Sequence, residues 1–531
     1  MSFNSYLFVF VFFPLCMAGY HILSRVYPRA LKLWLIAASA VFGACGSLPS
    51  LGLFAVTMAV NYGLLRLILR RQKTCPGEGG SREEAGASAG ERPEISRAVR
   101  WAVFTGVLFN LAVLGGFKYF NFFAGTVYSL LGRDYIARHI LLPLGISYMT
   151  FQQISLLVDA SRGELGGELR ADDYVLYTLY FPKLLSGPIA GFGELRAQFG
   201  ELAERSRVDG ETFCRGAALF IMGLAKKCIF AAWAQNAVNY VYANIPALTF
   251  GEGVIGMLCI SFTVYYDFSG YCDMGQGISR MLGLSLPVNF RSPLKTWNIV
   301  GYWRNWHITL TRFMTKYVYI PLGGNRRGRG RMCLNLLLIY LLSGLWHGAN
   351  MTFVLWGLLN GLLYIPVKLW LDRRGGARDD FGRLLSPVKR AAGRIGNLLI
   401  NSAIFVPFMA SSVGETGAYF RAMGTSAAAA FAAGRPAELL ALHPAFLEVF
   451  RTDELWYALK AARLASYAFA PYLCLAVIFG LLAGTAFFAK EARAIAEKGR
   501  LRARNGVLLA GLFVWCVCTF SQVMTFIYTN F

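Results

Sequence analysis

The sequence predicts an all-α fold, a polytopic integral membrane helical bundle of about 10–13 spans, on three observations. Of its 531 residues, 56% are hydrophobic and only 15% are charged. Soluble domains carry about 45–50% apolar and about 25% charged residues, so the apolar excess here needs lipid as its solvent. The apolar residues are also gathered into runs, most of them long enough to cross about 30 Å of hydrocarbon as helix. Finally, the Lys and Arg excess behind the net charge of +23 sits in short loops between those runs, which is where cytoplasmic retention places basic residues. That distribution argues against nucleic acid as a partner.

The elements follow in order. Residues 5–22 form an apolar run with nothing basic before it and no small-residue cleavage site after it, so a retained helix is expected rather than a signal peptide. Arg25, Arg29 and Lys32 come next, and runs near 33–47 and 51–69 end at Arg66, Arg70, Arg71 and Lys73. With basic loops inside, three spans put the N-terminus on the extracytoplasmic side, and both basic clusters agree with that parity. Residues 74–97, rich in Gly, Ser, Glu and Arg, have no apolar period and read as a flexible cytoplasmic loop. Further apolar runs recur near 101–130, 139–159, 173–191, 213–233, 250–270, 306–321, 332–348, 350–371, 396–412, 464–489 and 506–528. The stretch 192–211 has the mixed polarity of an interfacial helix, and the basic loops at 323–331, 373–394 and 490–504 are assigned to the cytoplasm. Gly187-Pro188 interrupts an apolar run, a break tolerated at membrane depth where protein or a water-filled cavity covers it. No fixed-period repeat is visible, so residues 1–531 read as one membrane domain rather than a transporter of duplicated halves.

Most cysteines, such as Cys16, Cys259 and Cys474, lie inside apolar runs, and neither a zinc site nor a disulfide framework follows from Cys516 and Cys518. Among the five histidines, His21, His139 and His443 fall at run ends or in loops and read as interfacial or solvated. His307, in GYWRNWHITL, and His347, in LLSGLWHGAN, fall within or beside spans, where an ionisable side chain is costly unless it lines a cavity or pairs. His347 lies 16 residues beyond Arg331 on a continuous apolar run, about 24 Å along a helix. The residues alone leave it either a reactive group or a histidine that ties two helices together. Asp267 and Asp273 sit among aromatics and are expected to pair with Arg280 or Arg291, or else to touch substrate. Gln152 and Gln153 are interhelical hydrogen-bonding amides or substrate ligands. A serine-hydrolase reading of Ser343 lacks the GxSxG elbow.

Taken together, YDFSGYCDMGQG, PVNF, GYWRNWH and YVYIPLGG, followed by LLSGLWHGAN 40 residues after the first histidine, resemble the membrane-bound O-acyltransferase (MBOAT) family. The likeness is to its branch of alginate O-acetylation and teichoic-acid D-alanylation membrane proteins, with PLGISYMTFQQISLLVD and YFPKLLSGPIAGF upstream and TFIYTNF at the end similar as well. The resemblance implies a core catalytic segment at 266–359, a helical bundle with a central funnel or tunnel, and a multi-pass protein of the bacterial inner membrane. It implies transfer of an acyl group, such as acetyl, from an acyl-CoA or acyl-carrier thioester on the cytoplasmic side. The acceptor is a hydroxyl of an extracytoplasmic polysaccharide or a partner protein, and no cofactor or metal is bound. An exported esterase-like acyltransferase of the SGNH type is the implied partner, besides the lipid bilayer. His347 becomes the catalytic residue and His307 the second, with Trp303, Asn305, Trp346, Asn350, Gln152, Gln153 and Asp267 as substrate-binding candidates. The chain departs from the branch's usual pattern at Val288, Gly301 and Thr315-Lys316, where Glu, Asp and Arg-Asp are usual, and keeps both histidines. Arg326, Arg327, Arg329 and Arg331 suit either a phosphate-bearing donor or plain positive-inside topology. A transporter or flippase of a lipid or glycan is the alternative function.

Chemistry gives the histidines a task. An alcohol attacking a thioester must lose a proton, and a neutral imidazole within hydrogen-bond reach can accept it, assistance worth about 10²–10⁴ in rate. The second imidazole can orient its partner or stabilise charge on the carbonyl oxygen.

Overall fold

The computed structural model describes residues 1–74, 96–165, 169–204, 208–374, 386–499 and 502–522. Most of the expected 74–97 loop, the middle of the 373–394 loop and the TFIYTNF ending lie outside the described residues. Within them the chain is helical throughout, with no strand, and nine helices are long and apolar enough to cross a membrane. The chain divides into two compact units, Met1–Phe213 with Ile278–Pro287, and Cys214–Gly277 with Val288–Phe531.

The first unit holds the spans Phe8–Val26, Pro28–Gly46, Leu48–Gln72 and Arg97–Leu130. Ser96 starts the last of these by accepting the Val99 N–H. Asn61 and Asn110 exchange amide hydrogen bonds of 3.2 and 2.7 Å between the third and fourth spans, satisfying both polar groups inside the apolar layer. Two expected spans are shorter than their apolar runs. The 139–159 run becomes helix only at Ile146, because Pro143 precedes the break and Gly145 takes φ +80°. A Cβ on Gly145 would also stand 2.7 Å from the Leu184 carbonyl oxygen, so only glycine fits. The 173–191 run is broken into Ala171–Leu179 and Phe181–Leu184, followed by non-helical chain through Gly187-Pro188. Phe192–Gly200 then forms a short helix in the stretch expected to be interfacial.

In the second unit, the helices Gly210–Ala243 and Phe250–Met281 cross on small residues. Added Cβ atoms at Gly223 and Gly277 would lie 2.7 Å from the Gly270 carbonyl oxygen and 2.6 Å from the Phe220 nitrogen. Close backbone approach of this kind is how helices associate where water exclusion cannot drive them together. Helices Arg329–His347 and Met351–Arg373 pair in the same way, since Cβ atoms at Gly344 and Gly357 would come within 2.2 and 2.4 Å of the Phe353 and Tyr340 carbonyl oxygens. Pro387–Met409 and Ala470–Phe487 add two spans, and Ala503–Cys518 is a shorter apolar helix. The 306–321 run does not span: it is the helix Ile308–Met314 continued by one wider turn, Thr315–Tyr319. No central funnel is seen within either unit among the described residues.

Candidate active site

His347 is the final residue of Arg329–His347, so the continuous run from the basic loop does deliver it by helix. The chain then turns to extended backbone at Gly348, where a Cβ would lie 2.0 Å from the Phe353 ring. Glycine here lets the Phe353 ring close against the end of the helix. Around the imidazole stand Trp346, Trp356 and Phe408, with ring centroids at 4.9, 5.2 and 5.3 Å.

His307 arrives differently. It sits between Ile299–Asn305 and Ile308–Met314 with φ 43° and ψ 52°, a left-handed conformation that a histidine adopts only when its surroundings enforce it. The enforcing group is Asn289. Its Oδ1 lies 3.1 Å from His307 Nδ1 and accepts from both the Thr309 N–H at 3.2 Å and the Thr309 hydroxyl at 3.0 Å. The Ile308 N–H in turn donates to the Asn289 carbonyl at 3.0 Å. Phe268, on the long helix Phe250–Met281, puts its ring 4.8 Å from the imidazole.

The two imidazole centroids are 6.4 Å apart, and Trp346 flanks both, at 5.9 Å from His307. This juxtaposition of side chains 40 positions apart in sequence is the strongest feature of the second unit. His307 is 0% exposed and His347 3% exposed, so both rings are closed off by the surrounding side chains. Trp303 is buried edge-on to Trp356 at 5.7 Å, and neither indole N–H has an acceptor among the described residues. Two imidazoles and two donors in one aromatic enclosure can move a proton and stabilise an oxyanion.

Other candidates have structural partners. Asn350 accepts the Thr352 N–H to start Met351–Arg373 and donates to the Ser411 carbonyl at 2.9 Å. Asn305 donates to the Gly301 carbonyl at 2.9 Å. Gln153 donates to the Thr178 hydroxyl at 3.3 Å and accepts from Tyr174 at 2.8 Å; it and the buried Gln152 belong to the first unit. The expected arginine partners of the acids are corrected. Asp267 pairs with Lys227, and Asp273 with Lys226 at 2.6 Å, because the glycine crossing brings the two lysines against the long helix. His443 is bound to the buried carboxylate of Glu252 at 3.0 Å, and the His21 ring lies 3.0 Å from the Met17 carbonyl. Sequence reasoning did not single out Asn289, Trp356 or Phe408; only the polar residue inside PVNF could have flagged the first.

A family model for membrane-bound O-acyltransferases matches residues 98–375, a segment that contains both histidines. The chain is 34% identical over 389 residues to a peptidoglycan O-acetyltransferase of Helicobacter pylori, covering 68% of this chain and 69% of that one. It is also 34% identical over 394 residues to a Pseudomonas aeruginosa protein named alginate O-acetylase, covering 73% and 69%. A teichoic acid D-alanyltransferase of Bacillus subtilis is 27% identical over 231 residues, 41% of this chain and 57% of that one.

Proposed function

Because the chain belongs to the membrane-bound O-acyltransferase family and is an O-acyltransferase, we propose that His347 and His307 carry its reaction, the transfer of an acyl group to an extracytoplasmic polysaccharide. The observation that supports this most is the pair of buried imidazoles 6.4 Å apart in an aromatic enclosure. The acyl group, acetyl in this reading, is delivered as a cytoplasmic acyl-CoA or acyl-carrier thioester. A hydroxyl oxygen attacks the thioester carbon while one imidazole takes the hydroxyl proton; the C–O bond forms, the C–S bond breaks, and the thiolate leaves and is protonated. The acceptor is the polysaccharide itself or an exported esterase-like partner that passes the group on. The relatives' names support the acceptor class: they act on peptidoglycan, alginate and teichoic acid.

With His347 only 3% exposed, reaction requires the aromatic shell to part for the acyl chain. Aromatic walls then exclude water, which would otherwise hydrolyse the thioester. The test is His347→Ala in cells whose extracellular polysaccharide is assayed for ester-linked acyl groups, at matched membrane protein level. Removal of a general base is expected to lower ester content about 10²-fold or more while polymer export continues. Unchanged ester content would remove His347 from the mechanism, and loss of polymer together with esters would favour transport.

A further inference from the structure

The geometry points to Asn289 as a positioning residue that fixes His307 in one tautomer, with the proton on Nδ1 and the Nε2 lone pair presented to the reacting hydroxyl. This rests on the assignment of His307 to the reaction in the proposed function, and it deepens that assignment by naming the nitrogen and the group that selects it.

Hydrogen-bond accounting carries the step. The amide orientation of Asn289 is set by Thr309, whose backbone N–H can only donate; the atom 3.2 Å from it must be the Asn289 oxygen. The other end agrees, since Nδ2 donates to the Cys272 sulfur at 3.4 Å. An oxygen that accepts from Thr309 offers His307 only lone pairs, so the ring nitrogen 3.1 Å away has to donate. In a neutral imidazole the proton is then on Nδ1 and Nε2 is bare. Nε2 is buried and has no hydrogen-bond partner among the described residues, as a nitrogen kept for an incoming hydroxyl requires. The left-handed backbone at His307 follows from the same clamp: Ile308 N–H and Thr309 N–H are both tied to Asn289, which folds the chain back at residue 307. Three elements therefore meet on one amide. Cys272 belongs to the long helix, Thr309 to the helix that His307 begins, and Asn289 to the non-helical segment between them.

The balance of the step is simple. The hydroxyl proton passes to His307 Nε2 as the C–O bond forms, leaving an imidazolium whose Nδ1–H still donates to Asn289; the proton then goes to the departing thiolate. Without the amide acceptor the ring is free to hold its proton on Nε2, where it offers the hydroxyl no lone pair.

The experiment uses the full chain, labelled with ¹⁵N-histidine and purified in detergent, with the His307 signal identified by its loss in His307→Gln. Ring-nitrogen spectra at neutral pH are expected to show His307 protonated at Nδ1 and bare at Nε2. Asn289→Asp, which keeps an acceptor in place, should keep Nδ1 protonated. Asn289→Leu should yield a tautomer mixture and lower ester transfer in cells about tenfold or more, as loss of a tautomer-fixing partner does elsewhere. A wild-type ring protonated on Nε2 alone, or an unchanged tautomer in Asn289→Leu, overturns the inference even if that variant is inactive. The underlying reading fails separately, if His307→Gln leaves ester content intact while the tautomer shifts as described.

Discussion

An acid among aromatics at membrane depth can be a reactive group or half of an ion pair, and for Asp267 the lysine beside it decides what a substitution does. Lys227 and Asp267 are both nearly inaccessible, their side chains 4% and 5% exposed. Removing one partner leaves an uncompensated buried charge, a loss of roughly 3–5 kcal/mol, whereas replacing both by apolar groups of similar volume is close to neutral. Asp267→Asn is therefore expected to lower the melting temperature of the detergent-solubilised protein sharply. The double variant Asp267→Leu with Lys227→Met should recover both the melt and cellular ester content; recovery of the melt alone would return Asp267 to the substrate site. Trp303 and Trp356 offer the opposite contrast. Their indole N–H groups are buried without an acceptor, so Phe at either position keeps a ring and removes an unsatisfied donor, at little cost to folding. If those donors meet the oxyanion, transfer falls roughly tenfold or more with the melt unchanged. Unaltered transfer in both variants would confine the two indoles to packing. Which acid pairs and which tryptophan has a bare N–H were not legible in sequence: Lys226 and Lys227 stand about forty positions from their acids, and nothing in the local pattern distinguishes them from lysines at a loop.

Helices in this chain are placed by glycines that face a neighbouring backbone, and that placement is what aims His347. Gly344 is one turn before His347, and a methyl group there would meet the Phe353 carbonyl oxygen at 2.2 Å. Gly344→Val or Gly357→Val must push Arg329–His347 away from Met351–Arg373, so a marked loss of monodisperse protein or of transfer is expected in size-exclusion and ester assays. Gly480→Ala and Gly484→Ala, on Ala470–Phe487, face open space and should be neutral or slightly stabilising through helix propensity. Equal behaviour of the two pairs would show that the close crossing is not needed. At this scale the sequence was most readable where a run was long and uninterrupted: Arg97–Leu130, Phe250–Met281 and Met351–Arg373 each cover the run that predicted them. It was least readable where apolar composition continued through a backbone break. Pro143 and Gly145, the Pro182 to Pro188 stretch and the left-handed His307 each shorten a run that hydropathy alone counts as a span. Hydropathy averages over a window, and a single positive φ does not change the average. The break at His307 is also the part of the site that local pattern could not give, since it depends on Asn289, 18 residues earlier.

Across the whole molecule, the distribution of basic residues and the count of spans make a joint statement about sidedness that the helices now allow to be tested. Phe8–Val26, Pro28–Gly46 and Leu48–Gln72 are three crossings before the hydrophilic segment, and Arg97–Leu130 is a fourth after it. Basic clusters at Arg25, Arg29, Arg70 and Arg71 belong on one face, and the tail of the fourth span, with exposed Arg133, on the other. This sidedness decides more than topology, because a donor that arrives from the cytoplasm and an acceptor that never enters it must approach the histidines from opposite faces. In a cysteine-free background, Ser88→Cys is expected to react with a membrane-impermeant maleimide only after the inner face is exposed in inverted vesicles. Arg133→Cys should react in intact spheroplasts, and Arg329→Cys, in the basic loop before the His347 helix, should behave as Ser88→Cys does. Labelling of Ser88→Cys and Arg133→Cys from the same face would mean that Arg97–Leu130 does not cross, and the odd number of crossings before the hydrophilic segment would no longer set the orientation. Labelling of Arg329→Cys from outside would leave that orientation standing but invert the helix that ends at His347, placing its N-terminus on the acceptor side.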